Sequence, residues 1–339
     1  MTGLAQRLQP PASVAYPGAH LGLRWRQLIP SDGPGIAELA RVVEDADEAI
    51  HRISPGAIAD LMEGKHGADL IDTIVGVDVD GAIGAVASVR VLRSVDEMAV
   101  AVVNALIHPR WRGRGLGRAL LFWQDGRARQ LLVEHFGADN PIRAQIMNTV
   151  DSHMTDRRRL YIAAGFYAKR TFAIMYREIE GSESAPSAKH GYRLLPWNDV
   201  NIEEARNLHD AVFTDHYWPE MRGRWWEEAM DECEPRWSFG IVDPEGTLAG
   251  YCVCARPVDR WAATGRTEAY VSLIGTSPEH RGKGLVRTLL GAAVAAAAQS
   301  GMSRIGLDVD ISSPSNAHGI YEHFGFVDER SEVYYAIEH

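Results

Sequence analysis

Residues 267–290 read TEAYVSLIGTSPEHRGKGLVRTLL, and the order of residue types in this stretch decides the fold of the chain. The apolar segment Tyr270–Ile274 predicts a strand, Ser277 and Pro278 predict a turn, and the RGKG segment at 281–284 precedes apolar residues at helical spacing. A strand, a glycine-rich turn and a helix N-terminus form a common phosphate-binding site, because the first N–H groups of the helix lack partners within it. We therefore expect an anion at residues 281–284, held by the backbone and by basic side chains.

A second copy of the pattern lies at residues 98–121, which read MAVAVVNALIHPRWRGRGLGRALL. Arg112 aligns with Arg281, and further along the chain Gly165-Phe166 aligns with Gly325-Phe326. Two copies in the same context indicate an internal duplication. The segment between them is rich in serine and alanine and has the composition of a linker. We predict a flexible N-terminal tail (1–21), an N-terminal domain (22–179), a linker (180–190) and a C-terminal domain (191–339).

The composition is that of a globular protein with two cores. The 339 residues are 46% hydrophobic and 24% charged, with a net charge of −10. An acidic chain is a poor partner for nucleic acid, and no apolar run reaches the roughly 20 residues that a membrane helix needs. The three cysteines, Cys233, Cys252 and Cys254, lack the second pair that a zinc site needs, so we predict free thiols and no metal. No secretory signal is recognisable, and we expect a cytoplasmic protein, either a monomer or a homodimer.

Together these motifs resemble those of the GNAT acyltransferase superfamily. In each copy a strand and a basic glycine loop are followed by a further strand, a tyrosine (Tyr161 or Tyr321) and the Gly-Phe pair. The tandem arrangement and residues 208–217 (LHDAVFTDHY) are similar to mycothiol-synthase-like tandem acetyltransferases. The resemblance implies two α/β folds of mixed α+β type, each with a mostly antiparallel sheet flanked by helices. It also implies acetyl-CoA as the cofactor and direct attack of an amine on the thioester.

The resemblance assigns the cofactor to the glycine loop and to the end of the strand before it. In the second copy Val286 replaces the last glycine or alanine of the pattern, and we expect this to weaken cofactor binding without abolishing it. The expected cofactor-binding residues of the second copy are Leu273, Ile274, Gly275, Thr276, Arg281, Gly282, Lys283, Gly284, Leu285 and Val286. Those of the first copy, whose loop fits the pattern fully, are Ala105, Leu106, Ile107, Arg112, Gly113, Arg114, Gly115, Leu116 and Gly117.

Acyl transfer to an amine needs a proton acceptor for the amine and a proton donor for the departing thiolate. A lysine-like amine has a pKa of about 10.4 and is mostly protonated at neutral pH, so a nearby carboxylate assists the reaction. By resemblance, Glu268 is the expected base, Tyr321 the expected acid, and Asn316 the polar start of the helix that carries Tyr321. Tyr161 is the alternative acid, but the first copy has Ala99 where the second has Glu268.

The substrate pocket is expected between the first two helices of the active copy. An ammonium group could be held there by acidic and aromatic side chains, through ion pairing and cation–π contact. In the second copy these residues are Asp215, His216, Tyr217 and Trp218. The alternative interpretation is a tryptophan-rich helix, with Trp225 and Trp226, packed on the sheet.

The sequence thus predicts an N-acetyltransferase that acts on a primary amine of a small molecule, with catalysis in the second copy. Catalysis in the first copy, or in both, stays open because the first glycine loop is the intact one. A peptide or protein amine is the second choice of substrate. A non-catalytic acyl-CoA-binding protein is the alternative from another functional class.

Overall fold

Two compact units make up the chain. The computed structural model describes residues 2–49, 52–93, 98–181, 183–214, 221–312 and 317–339. The first unit contains Met1–Lys169 and Val333–His339, and the second contains Arg170–Glu332. Relative to the predicted division into 22–179 and 191–339, residues 170–179 lie in the second unit and residues 333–339 in the first.

The described residues of the first half of the sequence form five helices and seven strands. In chain order these are α1 (Leu4–Leu8), β1 (Arg24–Gln27), α2 (Gly33–Ala46), α3 (Pro55–Glu63), β2 (Lys65–His66), β3 (Asp69–Val77), β4 (Ile83–Leu92), β5 (Met98–Ile107), α4 (Leu116–Phe136), β6 (Arg143–Asp151), α5 (Thr155–Ala163) and β7 (Tyr167–Glu178).

The second half repeats the order from β1 to β7, except that its described elements include no counterpart of β2 but do include an additional helix between the third and fourth strands. Its described elements are β8 (Arg193–Pro196), α6 (Ile202–Val212), α7 (Arg222–Asp231), β9 (Phe239–Val242), β10 (Leu248–Ala255), α8 (Val258–Thr264), β11 (Glu268–Thr276), α9 (Leu285–Gln299), β12 (Arg304–Asp310), α10 (Ala317–His323) and β13 (Val327–Glu338).

Each unit has a mixed, mostly antiparallel sheet. In the first unit the strand order is β1-β3-β4-β5-β6-β13, and β5 and β6 are parallel. In the second unit the order is β8-β9-β10-β11-β12-β7, and β11 and β12 are parallel. The remaining pairs with a described register are antiparallel. The predicted fold class is therefore confirmed.

The last strand of each sheet comes from the other half of the sequence. In the second unit, β7 pairs with β12 from Phe172 opposite Asp310 to Glu178 opposite Arg304. In the first unit, the backbone of Ala144 in β6 exchanges two hydrogen bonds with the chain end at His339, of 3.0 and 2.8 Å. Neither half of the sequence therefore completes its own sheet.

One face of each sheet packs against the long helix that follows the glycine loop. In the second unit the apolar alternation of β11 and β12 places Ala269, Val271, Ile305 and Leu307 in the core beneath Leu289 of α9. In the first unit the corresponding core lies beneath α4 and includes Leu120, Trp123, Ala101 and Ile146. The opposite face of the second sheet is covered by α6 and α7.

Residues near the N-terminus belong to the first core, where the sequence suggested a flexible tail. Leu4 and Leu8 of α1 are fully buried. They lie four residues apart and therefore share one face of the helix. The Gln130 side chain of α4 also donates a hydrogen bond of 2.8 Å to the carbonyl of Pro11. A five-residue helix has too few apolar positions to be recognised from periodicity.

Candidate active site

The two glycine loops have the same backbone conformation. The φ angles are 75° and 88° at Gly113 and Gly115, and 75° and 78° at Gly282 and Gly284. Side chains disfavour positive φ, so glycine is required at these turns. The second glycine of each loop is the N-cap of α4 or α9, and neither helix has an acidic residue in its first turn. Unpaired N–H groups at both helix starts are therefore available to an anion.

Behind each loop, two parallel strands separate. β11 runs from Glu268 to Thr276 but pairs with β12 only as far as Val271. β5 likewise continues to Ile107 after its pairing with β6 ends at Val102. Each unit thus has a wedge-shaped opening, along which one backbone edge of the longer strand faces no other described strand.

A β-bulge distinguishes the opening of the second unit. β10 places Val253 opposite Leu273 but Cys254 opposite Val271, so Ser272 is an extra residue on β11. The matching pair of strands in the first unit, β4 and β5, is in continuous register. Bulges re-aim backbone groups and often border functional sites. The backbone around Ser272 is therefore disposed differently from its counterpart in β5.

The first arginine of each loop has a different environment. Arg112 donates to the two carboxylate oxygens of Asp47, at 2.5 and 3.0 Å, and to the carbonyl of Ile107 at 3.0 Å. Arg157 of α5 also reaches Asp47, at 3.2 Å. Within the described parts of the chain, no hydrogen bond or ion pair reaches the Arg281 guanidinium. The basic group of the second loop thus has no anionic partner among the described residues, whereas that of the first is neutralised.

The last position of the glycine pattern also differs in its surroundings. A Cβ added at Gly117 would lie 3.1 Å from Cδ2 of Leu160 on α5, so the small residue accommodates this leucine. The counterparts in the second unit are Val286, which packs partly buried against the core, and Ile320, which is 39% exposed. The intact glycine of the first loop thus makes room for Leu160, whereas the counterpart of Leu160 in the second unit is partly exposed.

The two candidate tyrosines are both buried but differ in hydrogen bonding. Asn148 of β6 donates to the Tyr161 hydroxyl at 2.6 Å. The parallel pairing begins at Arg143 in β6 and at Arg304 in β12. Counting along both strands from these arginines, Val309 is the residue of β12 that corresponds to Asn148. Among the described residues no hydrogen bond reaches the Tyr321 hydroxyl. Burial raises the pKa of Tyr321, with Cys252 acting in the same direction, so this hydroxyl stays protonated and can donate.

Glu268 does not have the environment of the expected base. Its side chain is fully buried, and Arg304 contacts one carboxylate oxygen through Nε at 2.8 Å and Nη2 at 2.7 Å. Arg260 of α8 contacts the other oxygen at 3.1 Å. A carboxylate paired with two guanidinium groups and closed to solvent is a structural anion, not a proton acceptor for an incoming amine. The bulge at Ser272 also shifts the alignment, so that Glu268 corresponds to Met98 rather than Ala99.

Sequence reasoning missed a polar face on the other side of the opening. Tyr270 of β11 donates a hydrogen bond to Asp308 of β12, and Arg260 lies over the Tyr270 ring at 4.5 Å. The alternation Ile-Gly-Leu-Asp-Val at 305–309 already separates Asp308 from the apolar residues of its strand and could have indicated it. Helix α8, which carries Arg260, was not predicted.

Several predicted residues lie outside the described residues: Asn316, Asp215, His216, Tyr217 and Trp218. The neighbouring His209 is fully buried and contacts the Tyr251 hydroxyl and the carbonyl of Arg222, each at 2.7 Å. Burial lowers the pKa of His209. Trp226 is also buried in the cluster between α6, α7 and the sheet, which fits the interpretation of a packed helix.

The described parts of the chain provide neither a metal-binding cluster nor a membrane-spanning helix. They contain no group of three or more histidine, cysteine, aspartate or glutamate side chains that could hold a metal ion. They also contain no helix long and apolar enough to span a lipid bilayer.

A glycine loop at a helix N-terminus can hold phosphate groups and a tyrosine at the strand opening can donate a proton, which fits the acyltransferase class that the sequence motifs resemble. Comparison with known proteins agrees with this class. Residues 202–326 match the Acetyltransferase (GNAT) family. A mycothiol acetyltransferase of Thermobispora bispora is 31% identical over 240 residues, which are 68% of this chain and 74% of that protein. A mycothiol acetyltransferase of Kocuria rhizophila is 27% identical over 327 residues, 91% of this chain and 95% of that protein.

The chain belongs to the GNAT family and is an N-acetyltransferase. A solved tandem GNAT protein from the clavulanic acid biosynthesis pathway shares the fold, with a TM-score of 0.66 and 18% identity. The similarity covers 93% of this chain and 98% of that protein. The tandem GNAT architecture that the sequence motifs predicted is therefore confirmed.

Proposed function

We propose that the second unit transfers an acetyl group from acetyl-CoA to a primary amine of a small molecule, by direct attack on the thioester. The observation that carries this assignment is the Tyr321 hydroxyl, which is buried beside the strand opening and has no hydrogen-bond partner among the described residues. In the first unit the equivalent hydroxyl is already engaged by Asn148. The Asn148 amide takes up one side of the Tyr161 oxygen as a donor, whereas no described group hydrogen-bonds to the Tyr321 hydroxyl, which can give its proton to a leaving group placed in the strand opening.

The residues around the second loop fit the chemical groups of CoA. The backbone N–H groups at Gly282, Gly284 and the start of α9 would bind the pyrophosphate, and Arg281 would neutralise part of its charge. Lys283 lies 3.0 Å from the Tyr192 hydroxyl at the same turn and adds a second cation. The unpaired edge of β11 from Leu273 to Thr276 would pair with the amide groups of the pantetheine arm.

Each chemical step is assigned to a group of this chain. When bound, acetyl-CoA supplies an acyl group activated as a thioester. Backbone N–H groups near Ser272 and Leu273 would polarise the thioester carbonyl, because the bulge re-aims them. The Tyr321 hydroxyl would give its proton to the departing thiolate, whose parent thiol has a pKa of about 8.5.

A small-molecule acceptor is supported by the two relatives named mycothiol acetyltransferases. The test is release of CoA from acetyl-CoA in the presence of D-glucosamine, L-cysteinamide, 2-phenylethylamine or a tetrapeptide with a free N-terminus. We expect turnover with at least one of the three small amines. Turnover with the tetrapeptide alone would overturn the proposed acceptor class. CoA binding without turnover of any amine would support a binding protein and overturn catalysis.

A further inference from the structure

The strand opening of the second unit has two chemically different faces. Ala269 and Val271 of β11, and Val309 of β12, point into the core beneath α9, which also contains Tyr321. Because side chains alternate along a strand, Tyr270 and Asp308 lie on the opposite face. Asp308 directly follows Leu307, the last residue of β12 that pairs with β11. A group placed between the separating strands would therefore meet Tyr321 from one face and Asp308 from the other.

Two aromatic rings border Asp308. A Cβ added at Gly306 would lie 2.5 Å from Cε1 of Tyr176 and 2.9 Å from Cδ2 of Tyr270, so both rings close over this glycine. Tyr270 also holds the carboxylate in place through its hydroxyl hydrogen bond. We call Tyr176, Tyr270, Gly306 and Asp308 the tyrosine face. Arg304 already lies over the Tyr176 ring at 3.7 Å, and Arg260 over the Tyr270 ring at 4.5 Å. The Asp308 carboxylate is therefore the group of this face that can bind an ammonium.

The charges around the tyrosine face leave one carboxylate unpaired. Arg260 and Arg304 are matched by Glu268, and Arg304 also contacts Glu329 at 2.8 Å. No ion pair reaches Asp308 from any described residue. The face therefore carries an excess negative charge on Asp308, which a cationic substrate can compensate.

Asp308 combines exposure with partial desolvation. Its side chain keeps an exposed surface, yet the surrounding protein raises the pKa of its carboxyl through desolvation. The Tyr270 hydrogen bond and the Arg260 charge, from β11 and α8, lower this pKa and oppose the effect of burial. A carboxylate of increased basicity that solvent can still reach is suited to accept a proton from a ligand.

We propose that Asp308 is the base of the reaction, which binds the ammonium group of the acceptor and removes its proton, while Tyr270 positions the carboxylate. This inference rests on the proposed acetyl transfer in the second unit, and it replaces the buried Glu268 in the role of base. It also defines the acceptor as a primary ammonium that approaches the exposed side of Asp308.

The proton balance of the step is complete. One N–H bond of the ammonium breaks and an O–H bond forms on Asp308, which leaves a neutral amine with a lone pair. The lone pair forms the C–N bond as the C–S bond breaks, and the thiolate takes the proton of Tyr321. The nitrogen then loses its second proton, which restores the Tyr321 hydroxyl. Asp308 returns its proton to solvent through its exposed surface.

The central test compares Asp308→Asn with Asp328→Asn, using the best of the three small amines defined above. Asp328 is a 55% exposed carboxylate of the same unit that pairs with His318, so its neutralisation is the matched control. We expect Asp308→Asn to lower kcat/KM about 100-fold, since loss of a general base typically costs this much, and Asp328→Asn to leave it unchanged. Retention of more than a third of wild-type kcat/KM by Asp308→Asn would overturn the proposal.

A binding measurement separates this outcome from misfolding and from failure of the proposed function. CoA affinity of Asp308→Asn, measured by calorimetry, should equal that of the wild type because the loop at 281–284 is untouched. If the wild-type protein acetylates none of the amines, the proposed function fails first. If the wild type is active and Asp308→Asn is equally active, only the assignment of the base fails.

The positioning role of Tyr270 can be tested separately, through the pH dependence of kcat/KM. Tyr270→Phe removes the hydrogen bond that lowers the pKa of Asp308, so this pKa should rise. The acidic limb of the plot of kcat/KM against pH, which reports the protonation of the base, should therefore move to higher pH. A purely structural role would reduce activity without moving this limb. An unmoved limb would therefore contradict the proposed contact between Tyr270 and the base.

Discussion

The two glycine loops have almost identical backbones but differ in what surrounds them. In the first unit, Arg112 is bound by Asp47 and the glycine at 117 accommodates Leu160. In the second, the Arg281 guanidinium has no partner among the described residues, and the residue in the place of Leu160 is exposed. The loop with the more regular sequence is therefore the less accessible one. A motif specifies a backbone conformation, whereas availability to a ligand depends on side chains from distant segments.

The openings behind the loops extend this comparison. The first is in continuous register and its tyrosine is bound to Asn148, while the second has a bulge at Ser272 and a tyrosine without a partner. After duplication, one copy can lose catalytic geometry while its core is maintained by packing. We infer that the first unit has kept the fold and that the second has kept the chemistry.

The largest difference between the units should appear in their tyrosines. Tyr321→Phe should lower kcat about 100-fold, because the leaving thiolate loses its proton donor, and should leave CoA affinity unchanged. Tyr161→Phe should leave kcat within twofold of wild type. Steady-state kinetics with the best small amine measures both, and the opposite ranking would place catalysis in the first unit.

Exchanging one residue should make the second opening resemble the first. Val309→Asn places an amide at the position from which Asn148 contacts Tyr161, so it should engage the Tyr321 hydroxyl. We expect a decrease in kcat of about tenfold, because the amide would take up the space beside the hydroxyl that the leaving thiolate needs to reach its proton. Val309→Thr, which cannot reach as far, is the control. Equal kcat values for the two variants would contradict the role of the free hydroxyl.

The arginines should differ in their contribution to cofactor affinity. Arg281→Ala should raise the Kd for CoA about tenfold, because a charge-assisted hydrogen bond contributes about 1.5–3 kcal/mol. Arg112→Ala should leave the Kd within twofold, since Arg112 is already paired with Asp47. Calorimetric titration with CoA checks both. A larger effect of Arg112→Ala would mean that the contact with Asp47 opens in solution.

The smallest expected effect is that of removing the contact between Asp47 and Arg112 at the first loop. Asp47→Asn should reduce the free energy of unfolding by less than about 1 kcal/mol, because partly exposed ion pairs contribute little. It should not create a second CoA site, since Leu160 still lies over Gly117. Adding Leu160→Ala should permit a weak second site, seen as a rise in calorimetric stoichiometry. A second site with Asp47→Asn alone would show that Leu160 is not an obstacle.

The sequence predicts local features of this chain well, for physical reasons. The strand before each glycine loop and the helix after it follow from the apolar run, helical periodicity and glycine position. The duplication follows from the repeated motif. Strand alternation also explains why Cys252 and Cys254, two residues apart, are both buried in the core beneath α9 with their sulfurs 4.0 Å apart.

The remaining features depend on contacts between residues far apart in the sequence. The pairing of Glu268 with Arg260 and Arg304, and of Arg112 with Asp47, joins segments that no local pattern connects. The bulge at Ser272 shifts the alternation of β11 by one residue and so misaligns the two copies. The exchange of closing strands leaves no mark in the sequence, because β7 and β13 have the same pattern whichever sheet they join.

The most direct test of the account is a crystal structure of the protein with CoA. The account predicts CoA at the loop Gly282–Gly284, with the pantetheine arm along β11 and the sulfur near Tyr321, while Arg112 stays bound to Asp47. CoA bound only at the loop Gly113–Gly115, with Arg112 released from Asp47, would contradict it.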